Sequence, residues 1–185
     1  MLKKNISKIK IWIKKNKVID IILFGSSVRG NLEPKDIDIC ILIQDFEEKN
    51  SLELINSLSL VTDNLTTKYH FTILKVSSFL SGNTLTKTLL SEGYSLRHNK
   101  PLSEVFGFQS KSMFVYSLKH YTPSKRVQFH YLLNGRYGSV GILKEVKGYI
   151  VSNGTIIVPT TKEDLLKKIL NQWNVSYKIT RILSG

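Results

Sequence analysis

Two aspartates, Asp36 and Asp38, begin an apolar run that continues to Ile43. On a β-strand, residues two apart point to the same face of the sheet, which places these two carboxylates about 7 Å apart. Acidic residues are poor strand formers, so a pair of them leading into a buried strand needs a chemical reason. Carboxylate oxygens are the ligands that Mg²⁺ prefers, and we therefore expect Asp36 and Asp38 to bind a divalent metal ion.

A glycine–serine turn precedes the acid pair. The apolar run Val18–Phe24 ends abruptly at Gly25, as a buried strand does when the chain turns. We expect a short helix to begin at Ser26, and backbone N–H groups at the start of a helix bind phosphate. The lysine of a Walker A loop and the G-x-G-x-x-G pattern of a dinucleotide site are both absent from this turn. We therefore predict that Gly25, Ser26 and Ser27 contact a phosphate chain.

Together, the turn and the acid pair resemble the signature of the polymerase-β-like nucleotidyltransferase superfamily. That signature is a hydrophobic residue, Gly and Gly or Ser, then 9 to 13 residues, then Asp-hydrophobic-Asp/Glu-hydrophobic. Nine residues separate Ser26 from Asp36, which fits. The resemblance covers about residues 1–98 and implies an enzyme that transfers a nucleoside monophosphate from a nucleoside triphosphate to a hydroxyl group.

The resemblance also implies roles for single residues. Asp36 and Asp38 would share two Mg²⁺ ions at the reacting phosphate. Arg29 stands where the superfamily often has a basic residue near the triphosphate, although it could instead pair with Glu33 at the surface. The backbone after Gly25 would approach the β- and γ-phosphates.

The chain departs from the family pattern at the third carboxylate. The superfamily usually supplies it from the next long strand, where the candidates here are His70 and Thr72. Asp63 is a further candidate at the end of the preceding helix, although we expect it to be exposed to solvent. Imidazole is a poor ligand for Mg²⁺ and a better one for a softer ion such as Mn²⁺. Two outcomes stay open: transfer with His70 as base or metal ligand, or nucleotide binding without transfer.

The fold class expected is α+β, with a mixed sheet flanked by helices as the nucleotidyltransferase core and a smaller C-terminal α+β domain. Periodicity and turn signals predict the elements of the core as helix, strand, strand, helix, strand and helix. Their predicted ranges are 3–16, 18–24, 36–43, 51–64, 68–75 and 77–92. Gly93 would end the last helix as a left-handed cap.

Residues 101–185 form the second predicted domain, and their charge is strongly basic. They contain 12 basic and four acidic residues, within a chain whose net charge is +13. We expect helices over 123–133, 139–147 and 163–173, a hairpin around Ser152-Asn153-Gly154, and a last strand over 177–183. Thr160 or Thr161 would cap the third helix, with Glu163 or Asp164 completing a capping box.

Basic residues interleaved with aromatic ones are typical of surfaces that bind single-stranded nucleic acid. We assign that role to Lys125, Arg126 and Arg136, with Tyr121 and Tyr137 as exposed stacking residues. The acceptor of the transfer would then be a nucleic acid, with RNA or tRNA favoured. A protein acceptor, as in toxin–antitoxin systems, and a non-catalytic nucleic-acid-binding module are the alternatives.

Composition limits the remaining classes of protein. Hydrophobic residues make up 42% of the sequence and charged residues 22%, which is ordinary for a globular protein. The longest apolar runs are of strand length, so we expect no membrane association. Cys40, the single cysteine, lies in a predicted buried strand, and the N-terminal helix lacks the continuous apolar region of a signal peptide. These features indicate a cytoplasmic protein whose oligomeric state the sequence does not specify.

Overall fold

The computed structural model describes residues 2–31, 34–45, 51–62 and 68–185, with side chains from Ile6 onwards within those ranges. The chain divides into two compact units, Met1–Phe108 and Gln109–Gly185. The first unit extends beyond residue 98, where its end was expected. The reason is that the segment after residue 98 adds a short strand to the sheet and a helix that buries Leu102.

The first unit has five helices and five strands among its described residues. The helices are α1 (Leu2–Asn16), α2 (Ser51–Thr62), α3 (Val76–Leu80), α4 (Thr84–Glu92) and α5 (Leu102–Val105). The strands are β1 (Asp20–Phe24), β2 (Asp36–Ile43), β3 (Lys68–Lys75), β4 (Tyr94–Ser95) and β5 (Lys100–Pro101). They form one sheet in the order β3-β2-β1-β4-β5. Strand β2 runs antiparallel to β1 and parallel to β3, so the sheet is mixed, as predicted.

Both faces of this sheet are covered because β2 is apolar on both sides for most of its length. The four isoleucines of β2 pack with Trp12 of α1 and Leu58 of α2. On the opposite face, Cys40 packs with Ile22 of β1 and Leu89 of α4. Since side chains alternate along a strand, Asp36 and Asp38 continue the face of Cys40 beyond the end of the apolar layer.

The single helix predicted over 77–92 is two helices, α3 and α4. Gly82 adopts a left-handed φ of +72° between them, and the Asn83 side chain accepts a hydrogen bond from the N–H of Thr86 to begin α4. Gly93 was expected to be a left-handed cap, but its φ is −67°. A Cβ at Gly93 would lie 2.3 Å from the carbonyl oxygen of Leu89 and 2.8 Å from Ile22, so close packing is what requires glycine there.

The second unit is a four-stranded antiparallel sheet with helices. Its strands are β6 (Gln109–Ser117), β7 (Tyr149–Ser152), β8 (Thr155–Pro159) and β9 (Ser176–Ser184), in the order β7-β8-β6-β9. Its helices are α6 (Pro123–Asn134), α7 (Ile142–Glu145) and α8 (Glu163–Gln172), with a 3-10 turn at Thr160–Lys162. The predicted hairpin is β7–β8. The predicted helix over 139–147 is only the single turn α7, and β6 was not predicted at all.

Glu163 does not complete a capping box. Its side chain is 1% exposed and faces the sheet, where it binds Arg181 of β9 at 2.8 and 2.9 Å and the hydroxyl of Ser112 at 2.6 Å. Lys167 approaches it at 2.7 Å. Burial alone would raise the pKa of Glu163, but the hydrogen bonds from Arg181, Lys167 and Ser112 lower that pKa from 4.5 to about 2. This carboxylate therefore links α8 to the sheet.

In the part of the chain that the structure describes, no helix combines the length and apolar character needed to cross a membrane.

Candidate functional site

Asp36, Asp38 and His70 lie together at one end of the first sheet. The parallel pairing of β2 and β3 places His70 directly beside Asp38. The Nδ1 atom of His70 is 3.4 Å from Oδ1 of Asp38 and 3.7 Å from Oδ2 of Asp36. All three side chains remain partly open to solvent, with exposed fractions of 29% for Asp38, 40% for Asp36 and 60% for His70. The position of His70 is therefore the one expected, while the catalytic roles of the three residues stay predictions.

Gly25 lies against the carboxylate of Asp38. Its φ is +77°, and a Cβ built on it would be 2.3 Å from Oδ2 of Asp38. A side chain at this position would have to displace the carboxylate. The glycine thus permits both the left-handed turn after β1 and the present position of Asp38.

The turn after Gly25 differs from the predicted helix. Residues 26–30 form hydrogen-bonded turns, with the N–H of Val28 donating to the carbonyl of Gly25 and the N–H of Asn31 to that of Ser26. Among the described residues, the backbone N–H groups of Ser26 and Ser27 have no hydrogen-bond acceptor. The hydroxyl of Ser27 donates to the carbonyl of Phe24 at 3.2 Å. Two adjacent backbone donors and the Ser26 hydroxyl are thus the groups that could bind an anion here.

Arg29 is held by Glu92, a residue that the sequence analysis did not identify. The guanidinium of Arg29 is 2.8 Å from Oε2 of Glu92, and the N–H of Gly25 donates to Oε1 of the same carboxylate at 3.0 Å. The Glu92 side chain is only 3% exposed. One buried carboxylate at the end of α4 therefore fixes both ends of the turn. Glu33, the alternative partner of Arg29, lies outside the described residues.

The only sequence signal for Glu92 is an acidic residue in the last turn of a helix. Acidic side chains are unfavourable there because the C-terminal end of a helix is the negative end of its dipole. Glu92 is buried at that position. A buried carboxylate in an unfavourable place requires cationic and N–H partners, which Arg29 and Gly25 provide.

The carboxylates of Asp36 and Asp38 suit a hard divalent cation, whereas the imidazole of His70 suits it poorly. Asp36 and Asp38 present carboxylate oxygens on one open face, and Mg²⁺ is commonly held by one or two carboxylates with phosphate oxygens and water completing its shell. Among the described residues, no group of three or more His, Cys, Asp or Glu side chains meets the geometry of a metal centre. Asp63 lies outside the described residues. Thr72 follows His70 by two residues on β3 and is paired with Cys40 rather than with either aspartate.

Cys40 supplies no further chemistry to the site. It is fully buried, as expected, and burial together with the charge of Asp20 raises the pKa of its thiol to about 12. A thiol with that pKa is not ionised near neutral pH, so Cys40 acts as a small core residue.

The three predicted nucleic-acid-binding residues lie in the second unit and face different groups. The Lys125 ammonium is 4.4 Å from the ring centre of Tyr121. The Arg126 guanidinium donates to the carbonyl of Lys119 at 3.3 Å. The Arg136 guanidinium lies 4.8 Å from the rings of both Tyr131 and Tyr137. Their role in binding stays a prediction.

Of the two tyrosines expected to be exposed, only one is. Tyr137 is 92% exposed, whereas Tyr121 is 4% exposed. The Tyr121 hydroxyl donates to the carbonyl of Trp173, and its ring packs edge-on against Phe129. Tyr121 is therefore a core residue of the second unit.

Comparisons with known proteins identify a family for the first unit. A family model described as "Polymerase beta, Nucleotidyltransferase" matches residues 7–100, slightly more than half of the chain. A search of curated proteins found no match.

Solved structures of toxin–antitoxin proteins are similar to the chain over about half its length. One is a tri-AMPylated HEPN toxin of Shewanella oneidensis with its MNT antitoxin, at 25% identity, covering 52% of this chain and 71% of that chain with a TM-score of 0.36. Another is a toxin–antitoxin complex with AMP-PNP, at 26% identity, covering 50% and 72% with a TM-score of 0.37. A third, a mutant of MntA–HpeT, has 23% identity, covers 49% and 71%, and has a TM-score of 0.36.

Proposed function

Because the chain belongs to the polymerase beta nucleotidyltransferase family, we propose that it transfers a nucleoside monophosphate from a nucleoside triphosphate to an acceptor hydroxyl. The observation that carries this proposal is the convergence of Asp36, Asp38 and His70 beside the Gly25 turn. Two carboxylates and an imidazole lie together, and the turn whose backbone N–H groups at Ser26 and Ser27 have no acceptor among the described residues begins beside Asp38. This is the set of groups that phosphoryl transfer uses for positioning and charge neutralisation.

The residues of the turn bind the triphosphate. The N–H groups of Ser26 and Ser27 and the hydroxyl of Ser26 donate to phosphate oxygens. Glu92 holds the turn in place through the guanidinium of Arg29 and the N–H of Gly25. Asp36 and Asp38 hold Mg²⁺ or Mn²⁺, which when bound neutralises charge on the phosphates.

His70 accepts the proton of the acceptor hydroxyl. Its Nδ1 atom faces the two carboxylates, which leaves Nε2 as the acceptor nitrogen of the neutral ring. The hydroxyl oxygen forms a bond to the α-phosphorus as the bond to the bridging oxygen breaks. Pyrophosphate leaves, and the proton remains on His70.

A nucleic acid is the acceptor in this proposal. The support is charge: residues 109–185 contain 12 basic and three acidic residues, a net charge of +9 out of +13 for the chain. Two of those acids, Glu163 and Asp164, are engaged by Lys167 and Arg181. Most of the basic charge is therefore available to a polyanion.

Transfer of label tests the proposal. The full chain is incubated with each α-³²P-labelled nucleoside triphosphate, Mg²⁺ or Mn²⁺, and total RNA, single-stranded DNA or total protein. We expect label on nucleic acid, and a rate about 100-fold lower in Asp36→Asn or Asp38→Asn, since loss of a charge-stabilising group costs about 3 kcal/mol. Asp45→Asn is the matched control, because Asp45 lies beyond the opposite end of β2 and binds Ser77.

Three results would contradict parts of the proposal. Transfer that survives in the double variant Asp36→Asn/Asp38→Asn would reject the site. Label on protein alone would replace the acceptor by a protein. Triphosphate binding with no transfer to any acceptor would show a non-catalytic nucleotide-binding module.

A further inference from the structure

The second unit contains a cleft of about 650 Å³. It lies between the end of β6, one face of α6 and the turn that joins β7 to β8. The turn is fixed against β6, because the N–H of Tyr116 donates to the carbonyl of Gly154 at 2.7 Å. Sites for small ligands commonly have volumes of about 300 to 1,000 Å³, so this cleft has room for one nucleotide-sized group.

The polar part of the cleft is basic. Lys119, Arg126 and His130 line it, and no carboxylate is among the lining residues that the structure describes. Arg126 and His130 are four residues apart on α6, so they share one face of that helix. Among the described residues, neither Lys119 nor Arg126 forms an ion pair with a carboxylate.

Arg126 is held in place without being neutralised. Its guanidinium donates to the backbone carbonyl of Lys119 at 3.3 Å. This bond uses one of the five N–H donors of the guanidinium, and the uncharged carbonyl does not neutralise its positive charge. The side chain is thereby fixed beside the Lys119 segment. Arg126 is thus a fixed cation at the edge of the cleft, and Lys119 is a second basic lining residue. A phosphate group accepts hydrogen bonds from several donors at once, so it matches this pair.

The remaining lining is apolar. Phe129 and Leu133 of α6 are among the lining residues but are only about 1% exposed, so the accessible apolar surface comes mainly from the half-buried Tyr116 and Leu118. Ile150 of β7 lies on the opposite side and remains 38% exposed, although β-branched apolar residues favour burial. A ligand that fills the cleft therefore has both an anionic group and a flat or apolar part.

We propose that this cleft binds one unpaired nucleotide of a single-stranded nucleic acid, with its phosphate between Lys119 and Arg126. An unpaired nucleotide combines a phosphate with an uncovered base, whereas the bases of a duplex are stacked and paired. Within the second unit the net charge of +9 attracts a polyanion, and the cleft is where that charge adjoins an apolar surface.

This inference deepens the acceptor named in the proposed function and rests on it for the class of acceptor. It also refines the sequence prediction, because Arg126 lines the cleft while Lys125 and Arg136 lie on tyrosine rings outside it. Binding can be measured without triphosphate or divalent cation. A failure of binding is therefore distinguishable from a failure of transfer.

The test is fluorescence anisotropy with a 5′-labelled 12-nucleotide single-stranded RNA over a range of KCl concentrations. The full chain is compared with Lys119→Ala/Arg126→Ala and with Lys144→Ala/Lys168→Ala. Lys144 and Lys168 are exposed residues of the same unit outside the cleft, so the control removes the same charge.

We expect the cleft variant to reduce the steepness of log K against log salt by about 0.7, since the one phosphate held between Lys119 and Arg126 contributes about 0.7 on a single strand. We expect its affinity at 100 mM KCl to fall roughly tenfold, and that of the control less than about twofold. A 4-thiouridine in the RNA should cross-link to peptides containing Tyr116 or His130.

Equal loss of slope in the two variants would overturn the proposal, because charge alone would then explain binding. Failure of the unaltered chain to bind the RNA would overturn it as well. If poly-L-glutamate displaces the labelled RNA at the same concentration as unlabelled RNA does, the cleft would be assigned to an acidic protein segment instead. Equal loss of affinity for a 12-base-pair duplex in the cleft variant would exclude selection of an unpaired nucleotide.

Discussion

Replacing Gly25 with alanine separates the stability of the first unit from the geometry of its acid pair. The added Cβ would lie 2.3 Å from Oδ2 of Asp38 and 3.3 Å from its Cγ. Both atoms belong to the end of a side chain, and the carboxylate is 29% exposed, so it can rotate away into solvent. The fold survives this movement, but Asp38 no longer lies where Asp36 and His70 meet it.

The expected magnitudes follow from two separate terms. A non-glycine residue at a φ of +77° costs about 1 to 2 kcal/mol. For a chain of this size, 1 kcal/mol lowers the melting temperature by roughly 2 to 4 °C. Displacement of a charge-stabilising carboxylate costs about 3 kcal/mol in the transition state, which is a rate roughly 100-fold lower.

Gly82 offers a matched control. Its φ is +72°, nearly the same as that of Gly25, and a Cβ there meets nothing within 4 Å. Gly82→Ala should therefore lose about the same melting temperature as Gly25→Ala, because the backbone strain is similar. It should keep the rate of the unaltered chain, because α3 and α4 remain in place and no site residue moves.

The assay combines thermal unfolding followed by circular dichroism with the transfer of labelled monophosphate at saturating triphosphate. We expect both variants to melt a few degrees lower and only Gly25→Ala to lose transfer, by about two orders of magnitude. A Gly25→Ala variant with an unaltered rate would refute the reasoning, because Asp38 would then not need its present position. Equal loss of transfer in both variants would refute it too.

Three further predictions concern single carboxylates and His70. Glu92→Gln keeps an acceptor for the N–H of Gly25 but loses the charge opposite Arg29, so the free energy of unfolding in urea should fall by about 2 kcal/mol and the KM for triphosphate should rise. His70→Asp places a third carboxylate beside Asp38, so the transfer rate in Mg²⁺ should increase relative to the rate in Mn²⁺. An unaltered ratio of the two rates would count against a metal site shared by these three residues. Because the pKa of Glu163 is lowered from 4.5 to about 2 in the folded chain, its stabilisation is present above pH 4.5 and is lost as the pH falls through 2. Urea unfolding measured from pH 4.5 down to pH 2 should show that the free energy of unfolding falls by about 3 kcal/mol more in the unaltered chain than in Glu163→Gln. The control variant Glu145→Gln, which changes an exposed carboxylate, should behave as the unaltered chain.

Much of the first unit could be read from local patterns. The bounds of β2 and β3 agree with the predicted ranges 36–43 and 68–75, because apolar runs bounded by polar residues report burial directly. The shared face of Asp36 and Asp38 follows from the two-residue period of a strand. The place of His70 beside Asp38 follows from two neighbouring strands that run in parallel.

Only the tertiary structure identified the partners that lie far apart in sequence. Glu92 follows Arg29 by 63 residues, and Glu163 follows Ser112 by 51. In both cases the sequence shows an acidic residue near a helix end, which local rules assign to solvent or to a cap. Burial then makes a distant cation necessary, since a carboxylate inside a protein is stable only when paired.

The second unit shows the same division between local and long-range information. The hairpin around Asn153 and the start of α6 at Thr122 were predictable, because turn and cap residues act on their own backbone. Strand β6 was not, because its alternating residues gain their role only between β8 and β9. The direction of each basic side chain on α6 was equally undetermined by sequence. Helix periodicity specifies which residues share a face, but the packing of that helix on its sheet decides which face borders a cleft.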